Sequence, residues 1–315
     1  MIISASYRTD IPAFYGDWFI NRLNAGYCMV ANPYGGKPYR VSLRREHVDG
    51  FVFWTKNLGP FLPKLQEIKE RGFPFLVQYT INGYPRTLEF SVVDAERSIK
   101  HMHEIKATYG SRVAVWRYDT IVFTSVTPPS FHLENFARLA EKLEGTTDEA
   151  VVSFAQIYKK TLRNMNTAAK NFDFTWNDPS DSEKRELLLR LTAIAKNRGI
   201  QLTVCSQKDL VVAGAQEAHC IDAGRLSEIA QKDVRAKMKG NRPDCACFIS
   251  RDIGTYDTCP HGCVYCYAVM NRDLAQRRYK EHDPQNEYLY PQLSLIQNSE
   301  DVSEETNLQQ QLPLF

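Results

Sequence analysis

Short apolar runs rich in β-branched and aromatic residues recur along the chain, and an amphipathic stretch follows most of them. The runs predict strands over residues 2–6, 51–54, 75–79, 113–117, 151–154 and 201–205. The amphipathic stretches predict helices over residues 61–71, 94–109, 131–143 and 182–198, the last with Ser182 as its N-cap. An apolar segment at residues 27–31 predicts an accessory strand. Strands and helices that alternate at this spacing are typical of βαβ units and a parallel sheet.

Repetition of such units favours an α/β fold with a partial or full (β/α) barrel over a small doubly wound sheet. In barrels the functional residues gather at the C-terminal ends of the strands. Polar residues stand at or just after the predicted strands at Ser6, Arg8, Asp10, Gln78, Arg117 and Asp119. Each of these either faces a shared site or bonds to loop backbone, as polar residues at strand ends often do.

Composition indicates the class of protein and its compartment. The chain has 315 residues, of which 43% are hydrophobic and 24% charged, as in ordinary globular proteins. No apolar window reaches the roughly 18 residues of a membrane span, and the N-terminal stretch lacks a secretory pattern. We therefore expect a cytoplasmic protein that does not contact membranes. In that reducing compartment eight cysteines indicate metal chemistry more than disulfides.

The segment CPHGCVYC, residues 259–266, brings three cysteines together: Cys259, Cys263 and Cys266. A closed zinc site needs four ligands, usually two Cys-x2-Cys pairs or histidines at helical spacing. His261 lies inside the loop between two thiols, so we expect it to shape the loop rather than to bind metal. A three-cysteine loop can instead hold three irons of a 4Fe–4S cluster, which leaves one iron open to a small molecule.

This spacing, with Tyr265 before the last cysteine, resembles the signature of radical S-adenosylmethionine (SAM) enzymes. The resemblance implies a (β/α) barrel, a 4Fe–4S cluster whose free iron chelates SAM, and an electron donor such as flavodoxin or ferredoxin. It implies that SAM is cleaved to methionine and a 5′-deoxyadenosyl radical that takes hydrogen from the substrate. Tyr265 would lie near the adenine. A predicted strand at residues 247–253 and helix at 267–278 flank the loop as in that family.

The position of the cysteine loop departs from that family, in which the loop usually follows the first strand. Here it follows the last predicted strand, so the chain resembles a circularly permuted barrel. The family's glycine-rich strand that binds the SAM amino group is not recognisable. If the chain is permuted, Arg8 or Asp10 would serve the methionine end of SAM, and Ser6 and Gln78 are further candidates for cofactor binding.

The chain also resembles, over roughly residues 1–270, an uncharacterised bacterial family that carries this cysteine motif near its C-terminus. The stretches that carry this resemblance are SASYRTDIPAFYGDWF, FWTKN, WRYD, CIDAG and DIGTYDTCPHGCVYCYA. This second resemblance implies no activity.

The remaining cysteines divide into two groups. Cys205, Cys220, Cys245 and Cys247 could complete a second metal site, either a second 4Fe–4S cluster or zinc. The alternative is that they are buried free thiols that pack as small hydrophobes. Polar residues flank Cys245 and Cys247, which favours the metal site. We expect Cys28, within GYCMVAN, to lie in the core.

The composition changes after residue 283, where the chain becomes rich in Gln, Asn, Ser and Glu. We therefore predict a single barrel domain over residues 1–283 and a disordered tail over 284–315. Within the tail, QLPLF at 311–315 resembles the peptide that binds the bacterial sliding clamp, and QLSLI at 292–296 is a weaker copy. The predicted clamp contacts are Gln311, Leu312, Leu314 and Phe315.

Three functions are compatible with these features. The first is a radical SAM-type enzyme that acts on damaged DNA or nucleotides, by analogy with spore photoproduct lyase, with Arg117 and Asp119 facing the substrate. The second is a non-catalytic DNA-repair accessory protein, stabilised by an Fe–S cluster or zinc and recruited by the sliding clamp. The third is a barrel hydrolase in which Asp10 and Asp119 act as acid and base.

Overall fold

The computed structural model describes residues 1–32, 37–240, 242 and 244–291. The strands, numbered in chain order, are β1 (Ile2–Ala5), β2 (Tyr27–Val30), β3 (Tyr39–Ser42), β4 (Gly50–Thr55), β5 (Phe75–Thr80), β6 (Ala114–Ile121), β7 (Phe123–Thr124), β8 (Glu149–Phe154), β9 (Trp176–Asn177), β10 (Gln201–Val204), β11 (Gln216–Glu217) and β12 (Ser250–Asp252). The helices are α1 (Ile11–Phe14), α2 (Gly16–Ala25), α3 (Leu62–Glu70), α4 (Ala95–Tyr109), α5 (Pro129–Leu143), α6 (Lys159–Phe172), α7 (Asp181–Lys196), α8 (Ala223–Ala230) and α9 (Arg272–Lys280).

Eight of these strands form one sheet in the order β11-β10-β8-β6-β5-β4-β1-β12, and all neighbours are parallel. The C-terminal strand β12 therefore lies beside the N-terminal strand β1, with Ser250 opposite Ile2. The predicted α/β fold with a large parallel sheet is confirmed. Between the two edge strands, β11 and β12, the described residues form no ladder, so closure into a barrel is not seen.

Alternation along the strands separates two of the three buried apolar clusters. Phe51 and Phe53 of β4 point into a large cluster that also contains apolar side chains of α2, α3, α4, α5 and α7. Val52, between them, points to the opposite face, into a smaller cluster with Cys205, Cys220 and Leu226. Strands that are buried on both faces are typical of parallel sheets covered by helices. Cys205 and Cys220 belong to the smaller cluster, so they lie on the face of the sheet opposite to α2, α3, α4, α5 and α7.

The sequence pattern located most of the elements correctly. All six predicted sheet strands and all four predicted helices are present, and the accessory strand at 27–31 is β2, which pairs with β3 in an antiparallel hairpin. The predicted N-cap Ser182 is wrong, because α7 begins earlier and Ser180 caps it in a capping box with Glu183. The helix predicted at 267–278 begins only at Arg272, since the residues just after the cysteine loop form turns.

Residues 284–291, assigned to the tail from composition, pack against the N-terminal part of the domain. Trp18 Nε1 donates to the carbonyl of Asn286 at 2.9 Å, and Arg22 Nη2 donates to that of Gln285 at 2.9 Å. Leu289 is buried in the larger core. The packed part of the chain therefore extends past the predicted boundary at 283.

Both clamp-binding peptides lie outside the described residues, including the predicted contacts Gln311, Leu312, Leu314 and Phe315. In the described ranges, no helix is both long enough and apolar enough to span a bilayer.

Candidate functional site

A cavity of about 230 Å³ lies at the carboxyl ends of the parallel strands. All the site residues predicted within the described chain line it, with the exception of Gln78. The predicted residues in the lining are Ser6, Arg8, Asp10, Arg117, Asp119, Cys205, Cys220, Cys245, Cys247, Cys259, Cys263, Tyr265 and Cys266. The structure thus brings both groups of cysteines to one cavity, although they were predicted as separate sites.

The three-cysteine loop follows β12 and is held by a neighbouring loop, residues 88–91. Val264 donates its backbone N–H to Leu88 at 3.0 Å, and Ser91 donates to the carbonyl of His261 at 2.9 Å. Gly262 has a φ of +75°, and a Cβ there would lie 2.8 Å from Cδ of Arg272. The tight turn between the first two cysteines therefore requires glycine.

Asp10 connects this loop to two other elements. Its carboxylate accepts from the backbone N–H of Ala13 at 2.9 Å, which caps α1, and from that of Lys56 at 2.7 Å. It also accepts from His261 Nε2 at 2.8 Å. These contacts are those of a residue that positions the cysteine loop, and they agree with the expectation that His261 shapes it.

The three loop thiols are electrostatically coupled. Burial raises the pKa of Cys259 well above its usual value, and the nearby Asp10 and the thiolates of Cys266 and Cys263 raise it further. Burial likewise raises the pKa of Cys263, although Lys56 opposes this shift. Partly buried thiols with raised pKa values stay protonated unless a cation stabilises their thiolates. The three thiolates are therefore suitable ligands for a cationic iron–sulfur core.

As the side chains stand, no group of three or more His, Cys, Asp or Glu residues in the described ranges forms a site for a metal ion.

An aspartate that sequence reasoning missed, Asp252, organises the end of β12. Its carboxylate accepts from Ser4 Oγ at 2.8 Å, Ser6 Oγ at 2.8 Å and the backbone N–H of Tyr7 at 3.0 Å. Gly254 follows closely, and a Cβ there would lie 2.0 Å from Ser6 Oγ. Ser6 is thus engaged with Asp252 rather than free in the cavity. The sequence signal was an Asp-x-Gly sequence that begins at the last residue of a strand.

Arg8 differs from the other charged residues of the site because its donors are not fully used. Its Nε is buried without a hydrogen-bond partner among the described atoms and lies 3.7 Å from Asp252 Oδ1. The rings of Tyr7 and Tyr256 lie 5.6 Å and 5.4 Å from its guanidinium carbon. A guanidinium held between aromatic rings at the cavity wall suits a carboxylate or phosphate of a bound molecule.

A polar cluster behind the loop fixes the ring of Tyr265. The Tyr265 hydroxyl donates to Glu89 and accepts from Lys56 Nζ at 3.1 Å and Asn82 Nδ2 at 3.0 Å. Lys56 also forms an ion pair with Glu89 at 2.8 Å, in which Glu89 is buried and Lys56 is partly exposed. Glu89 was missed because it lies in a loop without a strand or helix pattern. Tyr265 therefore presents its ring to the cavity with its hydroxyl fully engaged.

Arg117 and Asp119 form a buried ion pair, with Nη2 of Arg117 2.6 Å from Asp119 Oδ2. Burial alone would raise the pKa of Asp119, but Arg117 and the Ser153 hydroxyl more than compensate and the pKa is lowered. Gln78 lies outside the cavity lining, where it accepts from Arg117 at 3.1 Å and donates to the carbonyl of Cys220 at 2.9 Å.

Comparison with known proteins gives a family without an assigned activity. A family model described as a domain of unknown function (DUF1848) matches residues 2–268. No curated protein matches.

Two of the solved structures that match share little with the chain. A D-hydantoinase is 11% identical at a TM-score of 0.30, and the match covers 65% of this chain but only 41% of that one. A protein described as an alpha-L-fucosidase, from Bacteroides thetaiotaomicron VPI-5482, is 12% identical at a TM-score of 0.24, covering 76% and 83% of the two chains. At these TM-scores neither likeness bears on the fold or the activity.

Proposed function

The chain belongs to this family, whose description assigns no activity, and we propose that the protein is a radical SAM-type iron–sulfur enzyme. The observation that carries the proposal is the position of the three-cysteine loop. It leaves the carboxyl end of a parallel strand and lines one cavity with the ends of the neighbouring strands. A cluster loop at this edge of the sheet can present a small molecule to all the strand ends.

The strand order supports a permuted partial barrel. β12 carries the cysteine loop and lies at one edge of the sheet, followed in space by β1, β4, β5, β6, β8, β10 and β11. Apart from β12 this order follows the chain, so the C-terminal strand occupies the place of a first strand. The cysteine loop therefore follows the first strand in space although it follows the last in sequence.

The residues of the cavity divide into three roles under this proposal. Cys259, Cys263 and Cys266 would hold a 4Fe–4S cluster, which when bound supplies an electron to SAM at its open iron. Arg8 binds the carboxylate of the SAM methionine through its unused donors. Tyr265, whose hydroxyl is fixed by Glu89 and Lys56, offers its ring to the adenine.

The loop thiols also face a second cavity of about 330 Å³ on the outer side of the loop. Arg163 and Arg272 line this outer cavity together with Phe90. Basic residues around an approach to the cysteines suit an acidic electron donor such as flavodoxin or ferredoxin. None of the eight cysteines, all of which lie in the described ranges, forms a disulfide, as the proposed cluster chemistry requires.

The hydrolase alternative has less support in these contacts. Asp10 accepts three hydrogen bonds within the protein, and Asp119 has a lowered pKa beside Arg117. An ionised carboxylate in an ion pair is a poor general acid. The accessory-protein alternative differs from the enzyme in one testable respect, which is the cleavage of SAM.

The test is anaerobic reconstitution with iron and sulfide, followed by reduction with dithionite in the presence of SAM. We expect 5′-deoxyadenosine to form with the wild type and to fall to background in Cys263→Ala. Cys28→Ala is the matched control, because Cys28 is buried in the main core away from the cavity. A wild-type cluster that never cleaves SAM would refute the enzyme and favour the accessory protein.

A second variant tests the binding role of Arg8. Arg8→Gln should keep the cluster and weaken SAM binding by about tenfold to a hundredfold, the value of charge-assisted hydrogen bonds to one ligand group. The measurement is the SAM concentration that half-converts the electron paramagnetic resonance spectrum of the reduced cluster. An unchanged SAM affinity would remove Arg8 from the binding site.

A further inference from the structure

We propose that Cys205, Cys220, Cys245 and Cys247 hold a second 4Fe–4S cluster, closed by four thiolates. This cluster would face the same cavity as the three-cysteine loop and would not bind SAM, because no iron is left open. The inference concerns a separate set of residues and does not depend on the proposed enzyme activity.

The four thiols come together from three segments of the chain. Cys205 follows β10, Cys220 lies between β11 and α8, and Cys245 and Cys247 precede β12. The sulfurs of Cys205 and Cys220 are 3.4 Å apart, and the backbone N–H of Ile221 donates to the Cys247 sulfur at 3.4 Å. All four thiols line the cavity. Three of these thiols also belong to the smaller apolar cluster, so it is the convergence of all four on the cavity that indicates a ligand set.

Two arginines are directed at these sulfurs. Arg117 Nη1 donates to the Cys220 sulfur at 3.0 Å, and Arg242 Nη2 lies 3.9 Å from the Cys205 sulfur. A guanidinium is costly to bury against neutral groups, and Asp119, which pairs with Arg117 and lies within the electrostatic influence of Arg242, is a single carboxylate for two cations. A cluster held by four thiolates is anionic and supplies the missing negative charge. Hydrogen bonds to its sulfurs are one of the means by which proteins set its potential.

The four cysteines also lie where the two edges of the sheet approach each other. Phe248, just before β12, donates its backbone N–H to the carbonyl of Ile221, just after β11, at 3.0 Å. His219 Nδ1 lies 2.6 Å from the carbonyl oxygen of Ala246 in the same two segments. A centre ligated from both segments would tie these edges together at the cavity.

The spacing of the ligands along the chain favours an iron–sulfur cluster over structural zinc. Structural zinc sites usually draw their cysteines from Cys-x2-Cys to Cys-x4-Cys pairs, whereas Cys245 and Cys247 are separated by one residue. A zinc ion with Zn–S bonds of about 2.3 Å would hold its four sulfurs close together, as the Cys205 and Cys220 sulfurs are at 3.4 Å. In a cluster each thiolate binds a different iron, so these two sulfurs would have to move apart when the cluster is bound. Metal analysis of the purified chain distinguishes the two centres.

The test counts iron and sulfide in the anaerobically reconstituted full-length chain and in two variants. The wild type should hold about eight irons, four for each cluster. The double variant Cys205→Ala/Cys220→Ala and the triple variant Cys259→Ala/Cys263→Ala/Cys266→Ala should each keep about four. Cys28→Ala should match the wild type. SAM should change the spectrum of the reduced double variant and leave that of the triple variant unchanged.

The outcomes separate this proposal from the proposed function. If only the second cluster exists, the wild type and the triple variant hold equal iron and the double variant holds none. A wild type that holds a single zinc, or iron that the double variant does not lose, overturns the second cluster. Retention of the other cluster shows that the double variant folds. If it does not fold, Cys245→Ser, at the least buried of the four thiols, should lose iron selectively.

Discussion

At the scale of single residues, the charged groups of the site are held by several partners each. Asp252 accepts from three donors at the end of β1, and Asp10 accepts from three donors in separate segments. A buried carboxylate with this many donors keeps its orientation. Arg8 is the exception, since its Nε has no hydrogen-bond partner among the described atoms. Asp252 and Asp10 therefore position the walls of the cavity, whereas Arg8 has a donor available for a ligand.

The ion pair behind Tyr265 gives a prediction at this scale. Glu89→Gln leaves the largely desolvated Lys56 ammonium without its counter-ion, so we expect the free energy of unfolding to fall by about 3 kcal/mol. Glu96→Gln is the control, because Glu96 pairs with Lys142 on the surface and its loss should cost at most about 1 kcal/mol. Urea denaturation measures both. Equal losses would mean that the buried pair is no stronger than the exposed one.

At the scale of elements, apolar burial determines where helix α7 lies, and capping contacts determine the residue at which it begins. α7 presents Leu187, Leu188 and Leu191 to the core, and that apolar spacing was readable from the sequence. Its start was not, because Ser180 and Ser182 are both acceptable N-caps. The Glu183 side chain returns to the backbone N–H of Ser180 at 2.8 Å, which settles the choice.

The capping box predicts different effects for two nearby serines. Ser180→Ala removes the acceptor for the Glu183 backbone N–H and should lower the free energy of unfolding by about 1 kcal/mol. Ser182 lies exposed within the first turn, so Ser182→Ala should change it by less than about 0.5 kcal/mol. Urea denaturation of the two variants side by side tests this. The reverse order would place the cap at Ser182.

The contact of α5 with the end of β6 predicts a dependence of stability on pH. His132 is buried, with Nε2 donating to the carbonyl of Val122 and Nδ1 accepting from Tyr118. Burial lowers the pKa of His132 from 6.5 to about 4. The unfolded chain therefore binds a proton between these pH values that the folded chain does not. The contribution of His132 to the free energy of unfolding is therefore present above pH 6.5 and is lost as the pH falls toward 4.

The expected size of this loss is about 3 kcal/mol, from the difference between the two pKa values. His132→Gln keeps a donor and an acceptor and does not titrate, so its free energy of unfolding should fall less over the same pH range. Other groups affect both proteins alike, and the difference isolates His132. The exposed His47→Gln should parallel the wild type. Parallel curves for wild type and His132→Gln would show that His132 is not held neutral.

At the scale of the whole molecule, the sequence predicted what depends on local pattern and missed what depends on distant pairs. Strand and helix positions follow from apolar periodicity, and the cysteine loop follows from its spacing. The roles of Asp252 and Glu89 do not, because their partners lie far away in sequence, as with Ser6 and Asp252 or Tyr265 and Glu89. That all seven site cysteines face one cavity depends on the strand order, which periodicity does not encode.

The peptide QLPLF gives the prediction that links the molecule to a partner. We expect a synthetic peptide of residues 306–315 to bind the bacterial sliding clamp, with Leu312, Leu314 and Phe315 as apolar anchors and Gln311 fixing the register. Phe315→Ala should weaken binding by about tenfold or more, since a buried aromatic anchor contributes a large share of such affinities. Fluorescence anisotropy of the labelled peptide measures this.

The full-length protein provides the control for that experiment. A chain that lacks residues 306–315 should lose clamp binding while it keeps its iron, since the lining of both described cavities ends at or before Arg272. If QLSLI at 292–296 contributes a second site, the chain that lacks residues 306–315 should keep weak affinity for the clamp, and removal of QLSLI should lower that affinity further. Absence of binding at high micromolar peptide would remove the main reason to connect this cavity with DNA, and the substrate would then have to be sought among small molecules that fit beside Arg8.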